Sequence, residues 1–175
     1  MTNLAETIHD TDTQVSTSEI TQHLSFEMGN EIYAINVLRV QEIKGWDQPT
    51  EIPDSPEFVM GVINIRGSIV PVFDLRVRFG MDNIQYNPTT VVIVTKVIHA
   101  NTERIIGLVV DGVSDVLFVD KANIKKAPDF GAMVDNQYVT GLVDIESSMV
   151  ILVNIDHLYA SGIEPLINAT DSEGS

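Results

Sequence analysis

The apolar residues of this chain fall into short runs separated by turn-forming residues. The runs are rich in Val and Ile and end at Gly, Pro, Asn or Asp, which is typical of β-strands joined by tight turns. The pattern predicts strands at residues 23–28, 31–35, 41–45, 58–63, 69–73, 91–98, 104–110 and 115–119, a final strand–turn–strand segment after residue 137, and helical turns at 36–40, 75–79, 120–124 and 155–160. The chain is therefore predicted to be all-β with short helical turns.

An internal repeat organises these strands. Residues 58–79 align without a gap with residues 138–159 at an offset of 80, and residues 32–43 align with 105–116 at an offset of 73. A period this long exceeds that of solenoid repeats, whereas two copies of a strand-rich unit fit two small barrels, which remove exposed strand edges by closure. The turn differs most between the copies, because Arg66-Gly67 in the first becomes Glu146-Ser147 in the second.

The repeat also predicts the domain organisation. Half of the chain is near the lower size limit for independent folding, so we expect the two barrels to share one hydrophobic core. We predict a flexible acidic tail at 1–22, one domain at 23–159 and a second flexible tail at 160–175. Within the domain, barrel one is expected at about 23–86 and barrel two at about 87–159, and the two can exchange strands.

Charge and composition exclude several classes of function. The formal net charge is −15 and the sequence contains no cysteine. Acidity of this degree argues against nucleic acid and anionic membrane surfaces as partners, and the missing thiols exclude disulfides and zinc–thiolate sites. We find no signal peptide and no apolar stretch long enough for a membrane span, so the expected location is the cytoplasm, without direct membrane insertion.

No pattern of catalytic residues stands out. The four histidines, at positions 9, 23, 99 and 157, lack a neighbouring Ser or acid in a nucleophilic arrangement, and the carboxylates do not converge on a metal site. There is also no phosphate-binding loop. We therefore expect no enzyme activity, no metal and no cofactor, although a small-molecule-binding or hydrolytic barrel remains the alternative from another functional class.

A protein without catalytic activity acts by binding through its surfaces. Comparison of the two copies of the repeat suggests which residues bind. Arg66 lies at a predicted hairpin tip, and its replacement by Glu146 in the second copy means that the fold does not depend on its charge. Its guanidinium can anchor a partner's carboxylate or backbone, or it can simply be a solvated turn residue. The segment from Val37 to Ile43 is the second candidate surface, since an apolar groove between two barrels suits a helical hairpin.

At these residues the chain resembles the CheW family of bacterial chemotaxis coupling proteins. The similarity runs through YAINVLRVQEIKGW (33–46), GVINIRGSIVPVFDLRVRFG (61–80), the stretch at 91–117 and VTGLVDIESSMVILVNID (139–156). It implies two five-stranded SH3-like barrels around a common core, without enzymatic activity. It also implies an adaptor that couples the cytoplasmic tips of chemoreceptors to the regulatory domain of the histidine kinase CheA, recruited to membrane receptor arrays. A paralogue in another chemosensory-like pathway, such as surface motility, is the alternative.

The resemblance also implies roles for individual residues. The receptor-binding residues would be Val37, Val40, Glu42, Ile43 and Arg66. Three glycines would support them by packing or by forming turns: Gly61, Gly67 and Gly141. The acidic N-terminal tail and the extra residues near 129–137 have no clear counterpart in the family pattern.

Overall fold

A computed structural model describes residues 19–127 and 136–165. Its ten strands are β1 (Ile20–Met28), β2 (Glu31–Asn36), β3 (Val40–Gly45), β4 (Val59–Ile65), β5 (Ser68–Asp74), β6 (Val91–His99), β7 (Thr102–Val110), β8 (Gly112–Asp120), β9 (Val139–Ile145) and β10 (Ser148–Val153). The helical segments are short: 3-10 turns at Val37–Arg39, Lys121–Asn123 and Asn136–Tyr138, helix α1 (Leu75–Arg78), helix α2 (Ile155–His157) and a π-helical turn at Leu158–Ile163. The all-β prediction and the predicted helical turns are confirmed.

The strands form two five-stranded curled sheets of SH3-like form, and both mix strands from the two copies of the repeat. Sheet one has the order β8-β1-β2-β10-β9, and sheet two has the order β3-β6-β7-β5-β4. In each sheet a parallel pair joins the copies: β10 pairs with β2, and β5 pairs with β7. The barrels therefore do not coincide with residues 23–86 and 87–159, because the first hairpin of each copy is exchanged into the other barrel.

The buried apolar side chains form three clusters, and one of them holds the two sheets together. The largest contains residues from both, including Phe26 and Tyr33 of sheet one and Phe73 and Leu108 of sheet two. Two smaller clusters each lie within one sheet, around Val119 in the first and around other valines in the second. Because the largest cluster is common to both sheets, neither barrel can be removed without exposing the core of the other.

At both ends, strands or helical turns extend beyond the predicted domain. Strand β1 begins at Ile20, where it pairs with Asp120, so the N-terminal tail cannot reach residue 22 as predicted. At the other end, Leu158 and Ile163 are fully buried in the central cluster, so the expected tail from residue 160 is wrong for residues 160–165. Strand pairing with β8 fixes the first segment, and burial of Leu158 and Ile163 fixes the second.

Ion pairs fix the two crossover points at which the chain passes from one sheet to the other. Asp111, between β7 and β8, accepts a 2.8 Å hydrogen bond from Nη1 of Arg76, which is held on its other side by the buried Asp74. At the equivalent crossover between β2 and β3 the charges are reversed, because Arg39 donates to both carboxylate oxygens of Asp156 at 3.0 and 2.7 Å. In both cases an arginine–carboxylate pair links the crossover of one copy to the short helix at the end of the other copy.

The Arg76 pair is the more deeply buried of the two. Burial by itself lowers the pKa of a guanidinium, but hydrogen bonds from Arg76 to Asp74 and Asp111 outweigh it, so the pKa of Arg76 is raised. The Arg76 and Asp74 side chains are 2% and 0% exposed, so each charge depends on the other for its stabilisation.

Candidate interaction surface

Glu42 and Arg66 are brought together by the closure of sheet two. Strand β3, which carries Glu42, and the β4–β5 hairpin, which carries Arg66, stand at opposite ends of the strand order. The sheet curls until Nη2 of Arg66 lies 2.8 Å from Oε2 of Glu42. The Arg66 side chain is 82% exposed and that of Glu42 is 22% exposed. The guanidinium therefore lies in solvent, whereas the carboxylate that it contacts is mostly covered. Two residues of the predicted receptor-binding set thus form one charged unit.

The conformation of the hairpin tip does not depend on these side chains. Arg66 and Gly67 have φ angles of 49° and 89°, and Glu146 and Ser147 in the other copy have φ angles of 49° and 69°. In the first copy the Gly67 N–H donates to Oδ1 of Asn64 at 2.9 Å. Because a serine adopts the same left-handed conformation as Gly67, glycine lowers the cost of this turn but is not required for it.

The apolar members of the predicted site differ in their accessibility. Ile43 is 44% exposed, whereas Val37 and Val40 are half-buried, and Val40 packs against the central cluster. Sequence reasoning missed Leu38, which lies between them in the 3-10 turn and is 79% exposed. Its counterpart in the repeat is Asp111. An acid at the equivalent position of the other copy indicates a surface position, and this was the signal that could have identified Leu38.

Two of the three predicted supporting glycines occupy positions that admit no side chain. A Cβ atom on Gly61 would lie 2.1 Å from the backbone oxygen of Thr50, and Gly61 has a φ of +137°. A Cβ atom on Gly141 would lie 2.5 Å from the Ile124 side chain. Both glycines let the connection before their strand lie directly on it, as the bridge between Thr50 and Val62 shows for the first copy. Gly67, in contrast, faces open space.

His99 and His23 have different surroundings in the described part of the chain. His99 contacts Glu164 at 2.6 Å and holds the C-terminal turn, while Nδ1 of His23 is buried without a hydrogen-bond partner in residues 19–127 and 136–165. Burial lowers the pKa of His23, and a hydrogen bond with the Thr21 backbone offsets this only in part. Within those same ranges, no three His, Cys, Asp or Glu residues are grouped to hold a metal ion, and no helix is long and apolar enough to cross a bilayer.

Comparison with known proteins identifies the family. The model of the CheW-like domain matches residues 22–162, which cover both sheets and the Glu42–Arg66 pair. This chain belongs to the CheW family. Its CheW relatives include the chemotaxis protein CheW of Klebsiella aerogenes, which is 46% identical over 80% of this chain and 82% of its own length. The CheW protein of Rhizobium meliloti is 35% identical over 79% of this chain and 86% of its own length.

A solved CheW structure supports the same fold. The crystal structure of the scaffolding protein TtCheW from Thermoanaerobacter tengcongensis superposes with a TM-score of 0.72 at 27% identity, covering 83% of this chain and 92% of that one. The CheW family consists of scaffolds without catalytic activity, and this chain is accordingly a chemotaxis protein that acts by binding. The residues that bind must therefore be sought on the surfaces of the two sheets.

Proposed function

We propose that this protein is the adaptor that couples chemoreceptor tips to the histidine kinase CheA, and that it is recruited from the cytoplasm to membrane receptor arrays. The observation that carries the proposal is the Glu42–Arg66 pair, 2.8 Å apart and presented on an open face of sheet two. In sheet one the equivalent positions are Asp115 and Glu146, two acids, so the repeated fold does not require the pair. A pair that the fold does not require is available for recognition.

The surroundings of the pair suit the helical hairpin of a receptor tip. Arg66 offers guanidinium N–H groups beyond the one that contacts Glu42, and these can donate to carboxylates or to the carbonyls at a helix end. Ile43 follows Glu42 in β3 and Leu38 lies in the turn before that strand, and both supply exposed apolar area on the same segment. An arginine anchor next to apolar residues is the composition typical of strong binding contacts. Val37 and Val40 support the surface from beneath.

An adaptor needs a second surface that stays free when the first is occupied. On the outer face of sheet one, Val116 and Phe118 of β8 are 44% and 68% exposed, and Ile20 of the adjoining strand is 55% exposed. Their neighbours on the same strand, Leu117 and Val119, pack inside the barrel. We assign this apolar group to the regulatory domain of the kinase, because it lies on the opposite sheet from Arg66.

Separate capture experiments test the two surfaces. Receptor signalling fragments and the kinase regulatory domain are immobilised separately and mixed with wild-type protein, Arg66→Glu or Phe118→Ser. We expect Arg66→Glu to lose receptor capture and keep kinase capture, and Phe118→Ser to do the reverse. If both variants are captured like the wild type on both supports, the assigned surfaces are wrong. If the wild type is captured on neither, the adaptor function itself is wrong.

A further inference from the structure

A cavity of about 650 Å³ opens between the two sheets and shares no lining residue with the shallow hollow that Glu42 and Arg66 line. Its walls come from the β1–β2 hairpin, the connection that follows α1, and strand β10. Its floor is apolar and buried: Met28 is 0% exposed, Tyr33 1%, Phe79 6% and Ile151 4%. Cavities of this size with an apolar floor are typical of sites for small organic molecules.

One polar group on this floor has no partner. Tyr33 lines the cavity, and within residues 19–127 and 136–165 its hydroxyl makes no hydrogen bond to another group. Burial, reinforced by the negative charge of Glu31, raises the pKa of Tyr33 to about 12, so the phenol stays protonated at neutral pH. The hydroxyl oxygen is not among the enclosed polar atoms that lack a partner in the described ranges, so it is accessible from the cavity and can hydrogen-bond to a bound molecule.

The charge around the cavity is negative. Three carboxylates, Glu31, Asp82 and Asp111, line it beside one guanidinium, that of Arg76. Arg76 is not available to a ligand, because Asp74 holds Nε and Nη2 while the Gln85 carbonyl and Asp111 hold Nη1, all within 2.9 Å. The carboxylates of Glu31 and Asp82 are solvent-exposed and carry no ion pair within the described ranges. The cavity thus has an apolar floor and a surplus of negative charge at its rim.

We propose that this cavity is a binding site for a small organic cation with an aromatic or apolar body, of the arylalkylamine class. The ammonium group donates hydrogen bonds to the Glu31 carboxylate and to the Tyr33 hydroxyl oxygen, and Asp82 adds charge at the rim. The apolar body packs against Phe79 and Ile151. The site gives the protein a ligand of its own, beyond its contacts with receptors and kinase.

The test uses full-length protein labelled with ¹⁵N and phenethylamine as the probe. Backbone amide shifts are followed by NMR at neutral pH, with phenethyl alcohol as the neutral analogue and 3-phenylpropionate as the anionic one. We expect saturable shifts at residues 28–33 and 79–84 with the amine, binding at least about tenfold weaker with the alcohol, and none with the acid. Equal binding of amine and alcohol, saturation at other residues, or no saturation at millimolar amine would overturn the proposal.

Variants distinguish amine binding in the cavity from non-specific attraction of the amine to an acidic protein. Glu31→Gln and Tyr33→Phe are each expected to weaken amine binding about tenfold, because each removes a hydrogen-bond partner of the ammonium group. The double variant Glu51→Gln/Glu57→Gln removes exposed carboxylates elsewhere and should bind the amine like the wild type. Melting curves confirm that every variant is folded. Weakening by the Glu51/Glu57 variant as large as that by Glu31→Gln would show only non-specific attraction and would contradict the site.

Discussion

Nη2 of Arg66 lies 2.8 Å from Oε2 of Glu42, and this ion pair joins the tip of the β4–β5 hairpin to the first strand of the same curled sheet. The two residues stand at opposite ends of the strand order, so they meet only because the sheet closes on itself. Exposed ion pairs contribute little to folding, about 0–1 kcal/mol. Little stability is therefore lost if the pair is used in binding, as we propose.

Reversing the charge of Arg66 should separate binding from stability. Arg66→Glu is expected to change the free energy of unfolding by no more than about 0.5 kcal/mol, as is usual for exposed positions. The same change should weaken binding of a receptor signalling fragment by about 1–3 kcal/mol, because it removes an arginine anchor and places two acids together. Calorimetric titration and chemical denaturation measure the two quantities.

Lys121→Glu is the matched control for this variant. Lys121 forms an exposed ion pair with Glu19 at 3.0 Å on sheet one, so its substitution makes the same change in net charge and also breaks an exposed pair. We expect its receptor affinity to equal that of the wild type. Equal weakening by both variants would show that receptor binding responds to total charge and not to the Glu42–Arg66 surface.

The glycines near this surface should differ in their tolerance of a side chain. Gly61→Ala forces a Cβ atom against the Thr50 backbone at a positive φ, and we expect it to lower the free energy of unfolding by about 2–4 kcal/mol. Gly67→Ala meets open space and adopts the conformation that Ser147 already holds, so its cost should be about 1 kcal/mol. Urea denaturation of both variants tests this order, and a larger loss for Gly67→Ala would contradict it.

The two crossover ion pairs should contribute unequally to stability. Arg76→Leu leaves the carboxylate of Asp74 buried without its partner, which should cost about 3–5 kcal/mol. Arg39→Leu breaks the equivalent pair, but the Arg39 and Asp156 side chains are 25% and 31% exposed and water can replace the contact. We expect a loss of about 1 kcal/mol there. Similar melting temperatures for the two variants would show that burial does not distinguish the pairs.

Stability should fall in mild acid because of His23. Its pKa is lowered in the folded protein, so below a pH of about 6.5 the unfolded chain binds a proton that the folded chain still refuses. The stability that neutral His23 contributes is present above that pH and is lost as the pH falls towards the folded pKa. His23→Gln lacks this titration, so the difference in melting temperature between wild type and variant should change between pH 7.5 and 5.5. A constant difference would contradict it.

Local structure was predictable from the sequence because its causes are local. The internal repeat placed Arg66 and Glu146 at equivalent hairpin tips, and the structure shows both with the same φ of 49°. The family resemblance placed Glu42 and Arg66 on one surface, and the structure brings them into contact. The matching hairpin tips follow from turn chemistry, which can be read over a few residues, whereas the Glu42–Arg66 contact needs the closure of the sheet.

Long-range features were not predictable in this way. The parallel pairing of β2 with β10 and of β5 with β7 exchanges hairpins between the barrels, and no local pattern distinguishes it from pairing within each copy. The same holds for the burial of Ile163, whose core partners are distant in sequence. The cavity above Tyr33 also depends on how the sheets pack, and so does the degree of exposure of Leu38, although the acid in the other copy pointed to a surface position. Exposure of an apolar residue is visible only when its neighbours are known.

We propose that this protein couples a receptor to a kinase without chemistry of its own. The most direct measurement reconstitutes receptor-containing membranes with the histidine kinase and follows sedimentation and autophosphorylation of the kinase. We predict that wild-type protein and Lys121→Glu bring the kinase to the membranes and raise its activity, and that Arg66→Glu does neither. Equal kinase recruitment and activity with and without the protein would contradict the adaptor function.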